Sequence, residues 1–475
     1  MKIMFVGSEA TPFVKTGGLA DVLGSLPQAL VREGHEVTLV LPKHRAIKKA
    51  YQQTLTFVRD YRVSIHTKEE YVGIEKLEHQ GVTVYVVDNE YYFGYRENLY
   101  GDFDDGERYG YFCHAVCKLL HELNEFPDVM HLNDWQTGLI PFIMKKNYQH
   151  DVRYQKVKTV FTIHNIAYQG VFAKSLLPYL NVPYGSELEF DNQINFLKTA
   201  IVTADYLTTV SKTYAHEIMH DYFGYGMSPL LAERRDRLSG IMNGLDYDEF
   251  DPARDKALAK NYSVRNYVQG KQANKEALLK IFYLEDKKLP VIGMVSRLTE
   301  AKGFPLVEAV IETLLREKKI QFIVLGSGDH DIESFLGHIK QKYAPYVGVY
   351  FGYSDGIARQ IYAGSDFFLM PSRFEPCGLA QLISMRYGTL PIVRETGGLK
   401  DSVLPFNKYT HDGTGFSFTN YNAHEMLEVI QGALAVYDDP TTFKKLIRRV
   451  MAENFTWERS AKAYVALYKK VLEAS

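Results

Sequence analysis

The stretch Ser372-Arg373-Phe374-Glu375-Pro376-Cys377-Gly378-Leu379 carries the residue types best suited to chemistry. It follows a short apolar run at 366–370 and a turn at Pro371. It leads into residues 379–387, whose apolar positions recur three and four apart as in a helix. Glu375 to Gly378 therefore fall on a strand-to-helix turn, where backbone N–H groups are presented to a ligand. Gly378 has no Cβ, so a ligand can approach that backbone closely. A carboxylate accepts hydrogen bonds from hydroxyls while the amides receive oxygens, a combination suited to a sugar carrying a phosphate. The plainer reading is that Glu375 caps the helix start and Cys377 packs beneath it. The stretch alone leaves both readings open.

Three further groups stand where ligands bind in doubly wound sheets, at the carboxyl ends of strands. Lys15-Thr16-Gly17-Gly18 follows the first apolar run, and a lysine beside glycines can cradle an anion. The alternative is a plain loop with a solvated lysine. The G-x-G-x-x-G spacing of a dinucleotide site is absent. Asp134 follows the run 129–132, and His164-Asn165 ends the run 158–163, so these polar tips are expected at one cleft. Cys113 and Cys117 share a helix face with no further Cys or His pair to complete a metal site, so they read as core packing.

Such groups need a scaffold. A chain of 475 residues is long for one core, and about two or three domains are expected. Fifty-five Lys and Arg against 57 Asp and Glu give no support to nucleic-acid binding. No apolar run approaches the roughly 20 residues of a membrane span. Three cysteines are too few and too odd a set for a disulfide framework, and they suit a reducing cytosol.

The first unit opens with a buried parallel strand at 2–7 and a helix over 19–30 blemished by Pro27. The next strand is at 35–41. Strands are expected at 54–65, 71–77 and 81–87, a flexible surface loop at 91–109, and a helix at 109–124. A capped helix follows Ser211. A polar link at 251–262 puts the domain boundary between about 240 and 260. The β-α-β pattern then restarts at 289–326, with later strands at 348–351, 366–370 and 390–393. Thr16-Gly17-Gly18-Leu19 recurs as Thr396-Gly397-Gly398-Leu399, one copy per half, which suggests two doubly wound domains facing one another. A helix at 457–472 ends the chain.

These residues resemble bacterial glycogen synthases and the related plant starch synthases, over the whole chain. The matching stretches are residues 15–22, 131–136, 161–170, 241–246, 295–298, 302–303, 372–379, 387–391 and 396–399. The resemblance implies a GT-B fold, α/β, with two Rossmann-like domains around a deep cleft. Residues 1–245 would form the acceptor side and 246–456 the nucleotide-sugar side, with 457–475 crossing back to the first domain. It implies transfer of glucose from ADP-glucose to the 4-hydroxyl of an α-1,4-glucan with retention, without metal or other cofactor. The partners would be those two substrates, with no nucleic acid and no membrane, in the cytoplasm; a homo-oligomer stays open. Ala301, Ala380, Lys212, Glu395 and Lys400 depart from the family's common residues, and 225–229 is irregular.

By the same resemblance, Arg297 and Lys302 are the pair that stabilises the leaving diphosphate, with Lys15 completing the charge from the other domain. Glu375 holds sugar hydroxyls near the transfer centre. His164 contacts the glucosyl 6-hydroxyl, and Asp134 orients the acceptor or holds the sugar. Tyr353 stacks on adenine. Further substrate contacts are implied at Gly18, Asp21, Asn165, Asn243, Cys377, Gly378, Leu379, Thr396, Gly397 and Gly398, with backbone amides near Gly18, Leu379 and Gly398 adding dipoles. Competing readings are a related transferase using UDP-glucose or a small acceptor, a GT-B epimerase or phosphorylase, and a silent glucan-binding protein.

Overall fold

The structure is a computed structural model and describes residues 1–474. The chain divides into two compact units, Met1–Gly244 with Trp457–Ser475, and Leu245–Thr456.

In the first unit, the strand Lys2–Val6 is buried on both faces apart from Lys2, as expected of an inner parallel strand. It lies fifth in a nine-stranded sheet. The order is Leu238–Gly240, Tyr206–Thr209, Lys158–Ile163, Val129–Asn133, Lys2–Val6, Glu36–Pro42, Val82–Asp88, Lys68–His79, Thr56–Ile65. All neighbours are parallel except the last two pairs, which form an antiparallel extension. Pro27 is accommodated inside the helix Gly18–Arg32 and is buried there.

The C-terminal helix Trp457–Glu473 buries Tyr464, Leu467, Tyr468 and Val471 in this unit's core. The Tyr468 hydroxyl lies 2.6 Å from Nδ1 of His131, whose Nε2 is 2.6 Å from Thr162 Oγ1. A polar chain thus crosses the sheet interior, fully buried and fully partnered at the histidine.

Residues 91–109 are not the flexible surface loop that their Tyr, Gly and Asp content suggests. Glu90–Gly94 forms a π-helical turn capped by Asn89, which accepts from the Tyr92 amide at 3.0 Å. Tyr92, Phe93 and Leu99 are buried. The following helix starts at Asp105, four residues before the expected position, and runs to Leu123. The cause is Arg108, fully buried, which donates to the Leu99 carbonyl and to Asp102 and draws the segment onto the protein.

The second unit is built on a six-stranded parallel sheet in the order Val347–Phe351, Gln321–Gly326, Val291–Val295, Phe367–Met370, Leu390–Arg394, Phe416–Phe418. The helix Tyr267–Ile281 precedes it. The polar link 251–262 has no regular structure, yet Tyr262 is buried and donates to the Tyr387 carbonyl at 2.7 Å. Its ring lies against Gly270, where an added Cβ would come within 2.4 Å of it.

Candidate active site

In the second unit, two neighbouring strands, Val291–Val295 and Phe367–Met370, end side by side. The loops that leave them are tied together. The Arg373 amide donates to the Ala301 carbonyl at 2.9 Å, and the Arg373 guanidinium donates to Glu300 at 2.8 Å. Gly303, at φ +83, sits against Pro371, where a Cβ would meet the carbonyl oxygen at 2.1 Å. That close approach and the left-handed backbone both call for glycine.

The clamped loops bring Lys302 to Glu375: Nζ donates to Oε2 at 2.6 Å, and Ser372 Oγ donates to the same oxygen at 3.0 Å. Glu375 is only 8% exposed. A buried carboxylate is costly unless paired and hydrogen-bonded, and here it is both. It does not cap the helix; the helix Ala380–Arg386 begins at Leu379 without a side-chain cap. Lys302, Glu375, Gly378 and Leu379 line a pocket of about 240 Å³ together with Ser296, Arg297 and Ser372. Ala380 is also on its wall. Arg297 is exposed. Cys377 is buried.

The second Thr-Gly-Gly turn supports this pocket from behind. Gly397, at φ +43, would place a Cβ 2.0 Å from the Glu375 carbonyl, and Gly398 one 2.0 Å from the Cys377 carbonyl. The Gly398 amide, expected among the ligand's donors, is already spent on the Glu375 and Pro376 carbonyls at 3.1 and 3.2 Å. Gly398 therefore builds the Glu375 turn and supplies no free dipole. Thr396 is buried beside it. Tyr353, 75% exposed, follows the edge strand Val347–Phe351 of the same unit.

In the first unit, Asp134 and His164 end adjacent parallel strands. Asp134 Oδ1 accepts from the His164 amide at 2.8 Å, and the Asn165 amide also points to this carboxylate. Burial raises the Asp134 carboxyl from 3.8 to about 7, against those amides, which lower it. Its backbone is left-handed, φ +57, uncommon for a residue with a Cβ and concentrated at functional positions. Asn133 spends both Nδ2 protons on the Val6 and His131 carbonyls, so its Oδ1 must accept. His164 Nε2, 2.9 Å away, therefore carries a proton. Burial pushes the His164 pKa down to about 3, so the ring is neutral and its Nδ1 is an acceptor.

Lys15 donates to Asp21 at 2.7 Å, one turn into the helix Gly18–Arg32. Glu9, just past the first strand, accepts from the Thr16 amide and from Thr16 Oγ1, the latter at 2.8 Å. Burial raises its pKa, and a hydrogen bond from the Gly17 amide counters this. Glu9 thus shapes the first Thr-Gly-Gly turn. Its only sequence signal is a carboxylate at a strand tip ahead of glycines. Asn243 is buried, with its Oδ1 lacking a hydrogen-bond partner.

A second pocket of the first unit, about 520 Å³, went unread in the sequence. Trp135, Tyr168 and Phe172 line it with Gln169, Tyr225, Asp102 and Asp105. Trp135 is next to Asp134. Gly170, at φ +63, lies flat on its indole, where a Cβ would come within 2.4 Å. Among the described residues no cluster of three or more His, Cys, Asp or Glu could hold a metal ion, and no helix is long and apolar enough to cross a membrane.

Two doubly wound α/β units in one chain, each with polar groups at the carboxyl ends of its parallel strands, are the architecture of the GT-B glycosyltransferases. A sequence model of the starch synthase catalytic domain matches residues 2–233, and one of group 1 glycosyl transferases matches 275–450. The glycogen synthase of Exiguobacterium sibiricum is 46% identical, with 99% of each chain covered. That of Geobacillus stearothermophilus is 44% identical, covering 100% of this chain and 98% of the relative. Among solved structures, the catalytic domain of starch synthase IV from Arabidopsis thaliana, bound to ADP and acarbose, superposes with a TM-score of 0.89. It is 31% identical, over 99% of both chains. The chain belongs to the glycogen and starch synthase family, and it is a glucosyltransferase of glycogen synthesis.

Proposed function

We propose that the enzyme moves glucose from ADP-glucose to the non-reducing 4-hydroxyl of an α-1,4-glucan, retaining the anomeric configuration. The observation that carries this is the Lys302–Glu375 pair, with Arg297 beside it, in one pocket at the strand ends of the second unit. Such a pocket offers cations to a diphosphate and a carboxylate to sugar hydroxyls in the same small volume. The relative with ADP and acarbose bound supports an adenine nucleotide and a glucan-like chain as the occupants.

As C1 of glucose parts from the diphosphate, negative charge grows on the leaving oxygen and positive charge on the sugar ring. Arg297 supplies a fork of donors to the former and Lys302 a compact charge, with Lys15 of the first unit as a third cation. Glu375 accepts hydrogen bonds from sugar hydroxyls. His164, neutral, accepts a hydrogen bond from the 6-hydroxyl through Nδ1. The acceptor 4-hydroxyl forms its bond to C1 on the face the diphosphate leaves. The C1–O electron pair stays with the diphosphate, which takes up the hydroxyl proton. Asp134 acts through the His164 and Asn165 amides as a positioning residue, and Asp21 does the same for Lys15.

Tyr353 offers an exposed ring to adenine. The first unit, with its aromatic pocket at Trp135 and Tyr168, is the acceptor side and the second the donor side. No metal step is needed, because the cations named already oppose the diphosphate charge. Initial rates with ADP-glucose and UDP-glucose, each against glycogen and a small maltooligosaccharide, test the reading. Transfer that prefers UDP-glucose, or that fails with every glucan, overturns it.

A further inference from the structure

Asp102 and Asp105 lie on the wall of the aromatic pocket, and neither belongs to the catalytic set above. One buried residue reaches both. Arg108 is fully buried; its guanidinium donates to Asp102 Oδ2 at 2.6 Å and to the Leu99 carbonyl at 2.7 Å, and approaches Asp105 Oδ1 at 3.4 Å. Its face lies 5.3 Å from the Tyr109 ring. Arg96 adds a second cation, 2.5 Å from Asp104 and 3.6 Å from Asp102. Asp105 Oδ2 accepts from the Gly101 amide at 2.7 Å, and the Tyr100 hydroxyl is 2.7 Å from Ser8 Oγ.

For folding alone this arrangement is a poor choice. Arg108 Nε, Asp104 Oδ1 and Asp105 Oδ1 are buried without a hydrogen-bond partner, and such groups call for an explanation. Apolar residues of like volume would hold the segment as well or better. What the ion network achieves, and an apolar plug would not, is to fix a carboxylate on the pocket wall. Asp102 binds Arg108 through Oδ2, which leaves Oδ1 for an occupant. The same pocket offers aromatic side chains, with Tyr168 at 54% exposure. An aromatic face beside a fixed carboxylate matches a pyranose, whose C–H face stacks and whose hydroxyls donate.

We propose that Asp102 is a specificity-determining contact to hydroxyls of the acceptor glucan, and that Arg108 is the residue that positions it. This rests on the reading of the aromatic pocket as the acceptor site. Arg108 sits in the first turn of the helix Asp105–Leu123 and reaches back over Leu99 to Asp102, so the loop holds its shape before any glucan arrives. The affinity gained is that of a hydrogen bond to a charge without the cost of ordering a loop.

The test is steady-state kinetics of Asp102→Asn, Asp102→Glu, Arg108→Lys and Tyr168→Ala, with thermal melts alongside. The acceptor, a maltooligosaccharide, is varied at saturating ADP-glucose; ADP-glucose is varied at saturating acceptor. Asp102→Asn should raise the acceptor KM about ten- to a hundredfold, the span of a lost hydrogen bond to a charged group, with kcat and the ADP-glucose KM moving far less. Arg108→Lys, which keeps the charge and loses the fork, should give a smaller rise in the same constant, and Asp102→Glu should recover part of the loss. If Asp102→Asn melts like the parent and leaves the acceptor KM unchanged while Tyr168→Ala raises it, the proposal fails and the acceptor pocket stands. If neither variant moves that KM, the reading of the pocket falls and the proposal with it. Equal changes in both KM values together with a lowered melting temperature would show a structural role only, and would also overturn it. Should Arg108→Lys fail to fold, the two Asp102 variants decide.

Discussion

Replacing Lys302 by methionine separates what its ammonium does for the fold from what it does for the reaction. The side chain is 21% exposed and that of Glu375 is 9%, with 2.6 Å between Nζ and Oε2. Exposed pairs contribute about 0–1 kcal/mol, and breaking a fully buried pair costs about 3–5 kcal/mol because one charge is stranded. The geometry here lies between, so Lys302→Met should destabilise the second unit by about 1–3 kcal/mol, with Ser372 left as the remaining side-chain donor to Glu375. A domain of this size loses about 2–4 °C of Tm per kcal/mol. Turnover should fall about 10²–10³-fold, the usual effect of losing one charged contact to a developing anion.

The decisive variant is Lys302→Met combined with Glu375→Gln. Removing the stranded carboxylate should restore most of the lost Tm and none of the turnover. Differential scanning calorimetry and ADP release with glycogen as acceptor read the two quantities. A single variant with near-parental turnover would refute the leaving-group role. A single variant with unchanged Tm would refute the argument that the pair shields a buried charge. Recovery of turnover in the double variant would mean that Lys302 serves the reaction only by neutralising Glu375.

Asp134→Asn should cost activity and gain stability, and the gain should depend on pH. A carboxyl held near pKa 7 in the folded chain against 3.8 unfolded leaves stability untouched below about pH 4. It erodes stability as pH rises from there to about 7, and takes up to about 4 kcal/mol above that; the Tm difference between variant and parent should therefore grow from pH 5 to pH 8, and an equal difference at both would contradict the assignment. Incubation with EDTA should leave transfer intact if, as proposed, cationic side chains such as Arg297 and Lys302 oppose the diphosphate charge; a collapse reversed by Mg²⁺ or Mn²⁺ would overturn the proposed metal-free step. Gly397→Ala should unfold the Glu375 turn, seen as loss of both Tm and activity, because its Cβ would lie 2.0 Å from a carbonyl oxygen at φ +43. Gly18→Ala has open space around the new methyl in the free protein, so it should keep the parental Tm; a loss of activity there would place substrate against that backbone.

The inner strands were legible because parallel sheets buried on both faces need continuous apolar runs, and Lys2–Val6, Val291–Val295 and Gln321–Gly326 are built on such runs. The Glu375 turn was legible for a related reason, a carboxylate and a glycine between an apolar strand and a periodic helix. Residues 91–109 were misread because composition reports an average and Arg108 is an exception. One buried guanidinium lying beyond the segment's start draws a polar, glycine-bearing stretch onto the protein. The aromatic pocket was invisible for another reason. Trp135, Tyr168 and Asp102 are far apart in sequence and converge only through the order of the sheet.

The repeated Thr-Gly-Gly-Leu shows most clearly where sequence resemblance stops. As a pattern it reads as one device used twice. In the first unit its turn is shaped by the Glu9 carboxylate, beneath glycines that have room for a side chain: nothing lies within 4 Å of a Cβ at Gly18, and the nearest atom at Gly17 is 3.8 Å away. In the second unit the same residues are packed against the Glu375 and Cys377 carbonyls, and the Gly398 amide is consumed in holding them. Glycine in the first turn therefore leaves the backbone open to an incoming group, whereas glycine in the second allows one stretch of backbone to lie against another. The copy near Lys15 is thus suited to touch substrate directly, and the copy near Glu375 acts through the carboxylate it supports.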